Sequence, residues 1–383
     1  MLVTKVVKTK GNGVESIRCG PVDSDKTKCG SGARARCLAR RRFSLAGHGS
    51  QRQSGIALIL VIFIVALASI IVVSATYSTH LASRRSSIVA KGVRAEYLLK
   101  SAVNVARILL REDKIPEDSS KDLWGSFIDG IPIPGEIIGI DEPNVQVALE
   151  IRPEDSKIPL RMLTLGGAVN NTWRDVLVRL FRNLGFDADN EEDQTGLLPK
   201  GTRVDAQKLV ALLIDYSDAD TSAYSDPGFA DGFEGEKDKE IFPNRNFRRI
   251  SELATIPGFT AARLQRLTPF VSAEEIQYVN INTAPREALK ALSDDVDDSV
   301  ADQIVAFRDG PNGPITGSAG SNPLSAVVPG QLSSDIASLY RTESTRFQVI
   351  AKVDYDTSTY FMRAVLKRDV PGELPRIDSV ELF

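Results

Sequence analysis

The sequence predicts an α+β fold in which a long N-terminal helix packs on a small antiparallel sheet, with an all-helical domain inserted between the strands of that sheet. Three patterns predict this fold. An uncharged run over 56–77 continues into apolar residues at helical spacing as far as Leu110. Residues 145–152 alternate apolar and polar residues as a half-buried strand does, and this alternation returns only in 347–367. Between these strands, the periodicity over 172–292 is mostly helical.

Charge is unevenly distributed along the 383 residues, which are enough for two or more domains of roughly 100–200 residues each. Residues 1–55 carry 12 Lys and Arg against 3 Asp and Glu, a net charge of +9, whereas the remainder carries 35 against 47, a net charge of −12. The basic segment also contains all three cysteines, at spacings that match neither a CxxC pair nor a zinc site: Cys19, Cys29 and Cys37. Removal of this segment would leave a chain without thiols, which suits an oxidising compartment.

The uncharged run over 56–77 has 22 residues, and at about 1.5 Å per residue it can cross a hydrocarbon core of roughly 30 Å. No convincing A-x-A-like cleavage site follows it, so we expect the helix to stay attached to the protein. Arginines before it predict a cytoplasmic N-terminus and a body on the other side of the membrane: Arg40, Arg41, Arg42 and Arg52. Basic residues after it argue mildly against this orientation: Arg84, Arg85, Lys91 and Arg94.

The junction between the basic segment and the apolar run carries a recognisable pattern. Gly55 ends the segment and Ile56-Ala57-Leu58-Ile59-Leu60 follows at once, which resembles the class III signal of type IV pilins and pseudopilins. This resemblance implies that prepilin peptidase cleaves between Gly55 and Ile56 and removes residues 1–55 as a basic leader. The alternative is a plain signal anchor with a chance glycine.

The fifth residue after this cleavage site, Leu60, departs from the pattern of most pilins, which have glutamate there. A buried carboxylate in a helix bundle is costly without a charged partner, such as the N-terminal amine of a neighbouring subunit. A subunit that lacks the carboxylate cannot offer this contact to a subunit above it, which suits the tip of a fibre. An apolar residue at this position is similar to the protein K family, the minor pseudopilins K of type II secretion systems.

The resemblance to the protein K family covers the chain from about Gln53 to Phe383. Its specific stretches are, in order, the N-terminal helix, LVALLIDYSDAD, ISELATIPGFTAARLQRLTPFV, VNINTAPREALKAL and a C-terminal hairpin that turns near Asp356. The resemblance implies a pilin-like version of the fold. Its predicted parts are a cleaved leader at 1–55, a transmembrane helix at 56–77, the helix continuation and first strands at 78–160, an inserted helical domain at 161–310, a flexible loop and connection at 311–345, and the last strands at 346–383.

An acidic cluster lies inside the predicted helical domain, where nine Asp and Glu residues fall among the 26 residues of 215–240. Hard oxygen ligands on a loop suit Ca²⁺, although the spacing is not that of an EF-hand. A solvated acidic loop without a metal is the alternative. Members of the protein K family resemble this stretch and bind calcium in their helical domain, which implies a calcium site here. The predicted ligands are Asp218, Asp220, Asp226, Asp231 and Glu234.

The segment Ile256-Pro257-Gly258 lies between two helical stretches and resembles a helix-hairpin-helix. Such hairpins can present backbone N–H groups to a nucleic-acid phosphate, and Arg263 and Arg266 lie nearby. The net charge of −12 outside the leader would repel a polyanion, so we expect this segment to serve packing and expect no nucleic-acid partner.

The sequence predicts no enzyme. Its two histidines are His48, in the leader, and His80, beside the membrane segment, and no nucleophile lies next to a base in a recognisable pattern. Catalysis by carboxylates alone stays open as an alternative.

The resemblance implies a minor pseudopilin in the bacterial inner membrane, with a periplasmic body that joins the minor pseudopilins I and J in a tip complex. The complex would cap and initiate the pseudopilus for protein export, and the body would contact exported proteins. Two other functions are considered. One is a type IV pilus or DNA-uptake component that binds nucleic acid through the hairpin, and the other is a membrane-tethered, metal-dependent hydrolase that uses the acidic cluster.

Overall fold

The computed structural model describes residues 54–140, 144–189, 193, 196–234, 241–317 and 322–383. The chain divides into two compact units, Met1–Val73 and Ser74–Phe383. The predictions for the leader up to residue 53, including its cysteines and His48, lie outside the described residues.

The long N-terminal helix predicted from the sequence is present as α1, Ser54–Glu112, with 59 residues. Its first part is apolar and exposed, and α1 is long and apolar enough to cross a membrane. A single-pass membrane anchor fits this helix. Within the second unit, α1 buries apolar residues at spacings of three and four, which places them on one face of the helix: Ala95, Leu99, Ala102, Ala106 and Leu110.

The sheet has five antiparallel strands that are adjacent in the order of the chain. They are β1 (Ile131–Ile133), β2 (Val145–Pro153), β3 (Arg346–Tyr355), β4 (Ser358–Lys367) and β5 (Arg376–Leu382). The predicted hairpin between β3 and β4 is confirmed, because Asp356 adopts a positive φ of 53° in its turn. The short strand β1 was not expected, since three residues are too few to show an alternating pattern.

One hydrophobic core lies between α1 and this sheet. Alternate residues of the central strands face the helix, with Leu149 opposite Ala351 and Ala351 opposite Met362. Three alanines on the buried face of α1 allow the helix backbone to approach the strands closely: Ala95, Ala102 and Ala106. Trp124 fills the end of this core and meets Phe347 edge to face at 5.3 Å.

A second core belongs to the region inserted between β2 and β3. Its helices are α3 (Asn171–Asn183), α4 (Ala206–Ser217), α5 (Ala261–Leu267), α6 (Arg286–Leu292), α7 (Asp298–Asp309) and the short α8 (Leu324–Val327). A further short helix, α2 (Gly135–Ile138), precedes β2. Amphipathic periodicity predicts α3, α4, α6 and α7, and the structure has a helix at each place.

The inserted region differs from the prediction in two respects. It is not purely helical, because three pairs of two-residue strands join its loops: Ile158–Pro159 with Val271–Ser272, Thr164–Leu165 with Ala168–Val169, and Val279–Asn280 with Tyr340–Arg341. The second difference concerns 311–345, which we expected to be a flexible connection. Its Gly, Pro and Ser content suggested a loose loop, but Ile315, Leu324 and Val328 are buried in the second core.

A buried ion-pair cluster joins the two cores at the end of α1. Arg368, just after β4, donates to both carboxylate oxygens of Asp118 and to Asp113 at 3.2 Å. The guanidinium also lies 5.0 Å from the centre of the Phe347 ring. Burial raises the pKa of Asp118 to about 7, so this carboxylate depends on its hydrogen-bond donors to remain ionised.

The same aspartate reaches the inserted region through its backbone. Asp118 donates its N–H to the carbonyl of Thr342 at 2.8 Å, and its own carbonyl accepts from the amide of Asn280 at 3.0 Å. Its carboxylate also accepts the N–H of Ser344 at 2.6 Å. Asp118 therefore links the segment after α1 to the end of β4 and to the inserted region.

We expect Arg368→Met to lower the free energy of unfolding by about 3–5 kcal/mol, because it leaves Asp113 and Asp118 buried without their cation. The measurement is urea denaturation followed by circular dichroism. Arg376→Met is the matched control, because the Arg376 side chain is 61% exposed and pairs with Asp378 at 3.4 Å. Equal stability losses in the two variants would contradict this role for Arg368.

Candidate functional site

The acidic cluster begins where α4 ends. Helix α4 buries its apolar residues in the second core, and its last turn carries Asp215, which is fully buried. Asp218 follows as the C-terminal cap in an extended conformation, so the chain turns away from the helix there. The loops that follow, 218–234 and 241–249, return to this helix end.

Asp215 holds the first of these loops in place. Its carboxylate accepts the N–H of Tyr224 at 2.6 Å and the N–H of Phe233. Burial raises the pKa of Asp215 to about 6. Gly232 permits this closure, because a Cβ at that position would come within 2.1 Å of Asp215 Oδ2. Asp215 therefore positions the loop with both carboxylate oxygens already engaged.

Three of the five predicted ligands come together beside it. Carboxylate oxygens of Asp218, Asp220 and Glu234 lie within 4.8 Å of one another. Asp218 is buried, and among the described residues its Oδ1 has no hydrogen-bond partner. Burial, together with repulsion by the carboxylates of Asp220, Asp215 and Glu234, raises the pKa of Asp218 to about 7.

Asn244, which the sequence analysis missed, contacts this cluster at Asp220. Its side-chain amide donates to the carbonyl of Asp220, while its buried Oδ1 has no hydrogen-bond partner among the described residues. A positive φ of 50° at Asn244 fixes this loop conformation. The sequence did contain a signal for this residue, since Asn244 directly follows a proline just after the acidic run. Amide oxygens of asparagine are also calcium ligands.

The other two predicted ligands are engaged elsewhere. The carboxylate of Asp226 accepts from Arg174 Nη1 at 2.6 Å, and Asp231 accepts from the hydroxyl of Ser225 at 2.9 Å. Arg174 lies on α3, 52 residues earlier, so the sequence pattern could not reveal that it pairs with Asp226. Three further carboxylates of the acidic run lie outside the described residues: Glu236, Asp238 and Glu240.

The cluster has the composition of a hard-cation site. Three carboxylates and one amide oxygen are ligands that Ca²⁺ prefers, and loop-borne ligands tolerate its variable geometry. A divalent cation would remove the repulsion that raises the pKa of Asp218 and would give the unpartnered oxygens of Asp218 and Asn244 a ligand. The residues present therefore fit calcium.

The helix-hairpin-helix-like segment packs inside the second core. Gly258 has a φ of +84°, and a Cβ there would come within 2.3 Å of Val204 Cγ1. Arg263 is fully buried and donates to the carbonyls of Gly258 and Val204 at 3.0 and 2.8 Å. Arg266 donates to the carbonyl of Leu184 at 3.1 Å. These contacts support the packing role that we expected for this segment.

The predicted processing site lies at the start of α1, where Gly55 is exposed and has open space around its Cα. Ile56 and Leu60 are also exposed in the first unit. His80 is exposed on the same helix.

Comparisons with known proteins agree with this architecture. Residues 156–275, which contain the acidic cluster and the hairpin-like segment, match the family model of type II secretion system protein K. Among solved structures, a chain of the GspK-GspI-GspJ complex from the type 2 secretion system of enterotoxigenic Escherichia coli has a similar fold, with a TM-score of 0.60 and 17% identity. The similarity covers 78% of this chain and 99% of that chain. No curated protein matches the sequence. The resemblance to protein K inferred from the sequence is confirmed by the family model.

We expect Gly232→Ala to destabilise the protein by about 1–3 kcal/mol, because the added methyl group meets a carboxylate that two backbone N–H groups hold in place. Thermal unfolding followed by circular dichroism measures this loss. Gly92→Ala is the control, because Gly92 lies in α1 and a methyl group added there would meet no atom within 4 Å. A melting temperature of Gly232→Ala equal to that of Gly92→Ala would contradict the close contact.

Proposed function

We propose that this chain is a minor pseudopilin of the protein K type, which takes part in protein export as a component of a type II secretion system. One observation carries the proposal. A region that matches the protein K family model is inserted between β2 and β3 of a sheet domain that packs on the continuation of a membrane-length helix. This combination provides a membrane anchor, an assembly helix and a bulky head in one chain.

The role of such a subunit is structural. Helix α1 would anchor the chain in the inner membrane with a cytoplasmic N-terminus, and the sheet and inserted region would lie in the periplasm. The apolar part of α1 would pack against the corresponding helices of other pseudopilins once subunits leave the lipid. Leu60 supports a position at the tip, because no carboxylate stands there to bind the N-terminal amine of a subunit above.

The partners follow from the solved complex to which the fold is similar. That complex contains GspK, GspI and GspJ. We propose that the corresponding minor pseudopilins I and J of this chain's own secretion system bind it, and that the resulting tip complex caps and initiates the pseudopilus. The inserted region, which exceeds the sheet domain in length, would block further addition of subunits and could meet exported proteins.

Prepilin peptidase would process the chain between Gly55 and Ile56. We expect Gly55→Leu to prevent cleavage, because the peptidase must accommodate the residue directly before the cut and glycine presents no side chain there. The test is electrophoretic mobility of the membrane-extracted protein expressed together with the peptidase. Wild type should migrate as the shorter form and Gly55→Leu as the longer form.

Gly92→Leu is the control for this experiment, since it places the same side chain in α1 well beyond the cleavage site. It should migrate like wild type. Identical mobility of Gly55→Leu and wild type would contradict cleavage at this position. N-terminal sequencing of the shorter form should begin at Ile56.

We also propose that Asp218, Asp220, Glu234 and Asn244 hold a calcium ion. Bound calcium would neutralise the carboxylates at the end of α4 and tie the loops over 218–234 and 241–249 to the helix. The support is the clustering of three carboxylates together with the unpartnered oxygens of Asp218 and Asn244. The ion would have a structural role in stabilising the inserted region.

We expect millimolar calcium to raise the melting temperature of the wild-type protein, because a ligand at 100 times its Kd stabilises the folded state by about 2.7 kcal/mol. Asp218→Asn should abolish this shift. Asp226→Asn is the matched control, since Asp226 pairs with Arg174 outside the cluster, and it should retain the shift. A calcium-dependent shift that survives in Asp218→Asn would contradict this ligand set.

A further inference from the structure

The outer edge of the sheet is formed by β5, which pairs with β4 alone. Phe361 and Phe383 exchange both backbone hydrogen bonds, at 3.0 and 3.1 Å. Because antiparallel residues alternate between bonded and non-bonded pairs, the backbone groups of Val380 and Leu382 point away from β4. Within the part of the chain that the structure describes, no hydrogen bond reaches them. The edge can therefore receive another strand.

The side chains of the same residues are apolar and exposed. Val380 is opposite Ala364 and Leu382 is opposite Met362, so both lie on the sheet face that α1 covers. Ala364 and Met362 are buried in the core, whereas Val380 is 48% exposed and Leu382 is 56% exposed. The apolar face of the sheet therefore extends beyond the area covered by the helix. A strand added to β5 could extend this face and cover both side chains.

The charges of β5 do not protect this edge. Exposed edge strands usually carry charged side chains that discourage pairing. Here the carboxylate of Asp378 accepts from the buried Arg346, and Glu381 pairs with Arg249 at 2.8 Å. The carboxylates of Asp378 and Glu381 are thus paired with arginines of the same chain.

The flank of α1 beside the start of β5 is positively charged. Arg107 donates to the carbonyl of Pro375 at 2.8 Å and to the amide oxygen of Asn104 at 3.1 Å, and both partners are neutral. Lys114 lies near Gly372, in the loop that leads to β5. Neither cation forms an ion pair with a carboxylate of the described residues. A partner that carries carboxylates would complement this flank.

We propose that β5 binds an extended, acidic segment of a neighbouring subunit, which adds a sixth strand to the sheet. Backbone groups of the segment would pair with Val380 and Leu382, its alternate apolar side chains would cover theirs, and a carboxylate would meet Arg107. This inference rests on the proposed function, in which sister pseudopilins I and J surround the chain.

The test uses the full-length chain in detergent, alone and after co-expression with the pseudopilins I and J of its own system. Hydrogen exchange of individual backbone amides is followed by mass spectrometry. We expect the amides of Val380 and Leu382 to exchange at least tenfold more slowly in the complex than in the isolated chain. Unchanged exchange of both amides in an intact complex would overturn the inference while leaving the proposed function in place.

Two variants test the strand addition directly. Val380→Pro removes an outward N–H and keeps the inward bonds of Ser379 and Glu381, whereas Val380→Thr keeps the N–H and a similar shape. We expect the proline variant to bind the sister pseudopilins at least fivefold more weakly than the threonine variant. Arg107→Glu leaves β5 intact and should also weaken binding. Equal affinities of the wild type and all three variants would overturn the inference.

Two other outcomes would identify a different occupant of the edge or contradict the proposed function. Slow exchange of these amides that appears in the isolated chain as its concentration rises would assign the edge to a second copy of this chain and overturn the inference. Failure of the wild-type chain to bind either pseudopilin would count against the proposed function itself. Melting temperatures of the variants, compared with that of wild type, show whether each variant is folded.

Discussion

The buried contact between Arg368 and Asp118 is the constraint on which the arrangement of the second unit depends. It brings together the segment after α1 and the end of β4, and Asp118 also contacts the inserted region at Asn280 and Thr342. A buried ion pair adds little net stability compared with apolar residues of the same shape, but it is costly to break once buried. The contact is therefore better understood as a device that specifies one arrangement. Displacement of the inserted region would remove the hydrogen bonds that Asp118 forms with Asn280, Thr342 and Ser344.

This constraint is useful in a chain whose helix must serve two environments. The first part of α1 is apolar on all sides, as a helix in lipid requires. The second part is amphipathic, and its alanines bring it close to the strands. Insertion of a large region between two neighbouring strands places no strain on this packing, because β2 and β3 remain paired along their whole length. The inserted region forms its own core and contributes its own contacts.

At the acidic cluster and at the edge of β5, the described residues leave polar groups without hydrogen-bond partners. At the cluster, the buried carboxylate of Asp218 is repelled by its neighbours, and two oxygens, of Asp218 and Asn244, lack partners among the described residues. At β5, backbone groups and apolar side chains meet solvent together. The first arrangement favours a cation, and the second favours a strand from another chain. Either occupant would increase the order of the segments that it contacts.

Local patterns determined much of this protein from the sequence by itself. The apolar run predicts α1, alternation predicts β2, β3 and β4, and helical periodicity predicts the main helices of the inserted region, because each pattern depends on residues within a few positions of one another. The acidic run also predicted a cation site, and three of its five predicted ligands cluster in the structure. The resemblance to protein K rested on the order of these local features.

Only the tertiary structure decided which distant residues meet. Asp226 pairs with Arg174 on α3 and lies outside the cluster, whereas Asn244 contacts the cluster at Asp220. Neither pairing follows from sequence spacing. The burial of Ile315, Leu324, Val328 and Arg263 likewise depends on surfaces supplied by other elements. Long-range contacts have no period along the chain, so composition alone suggested a loose loop over 311–345. Packing against the second core produced the opposite result.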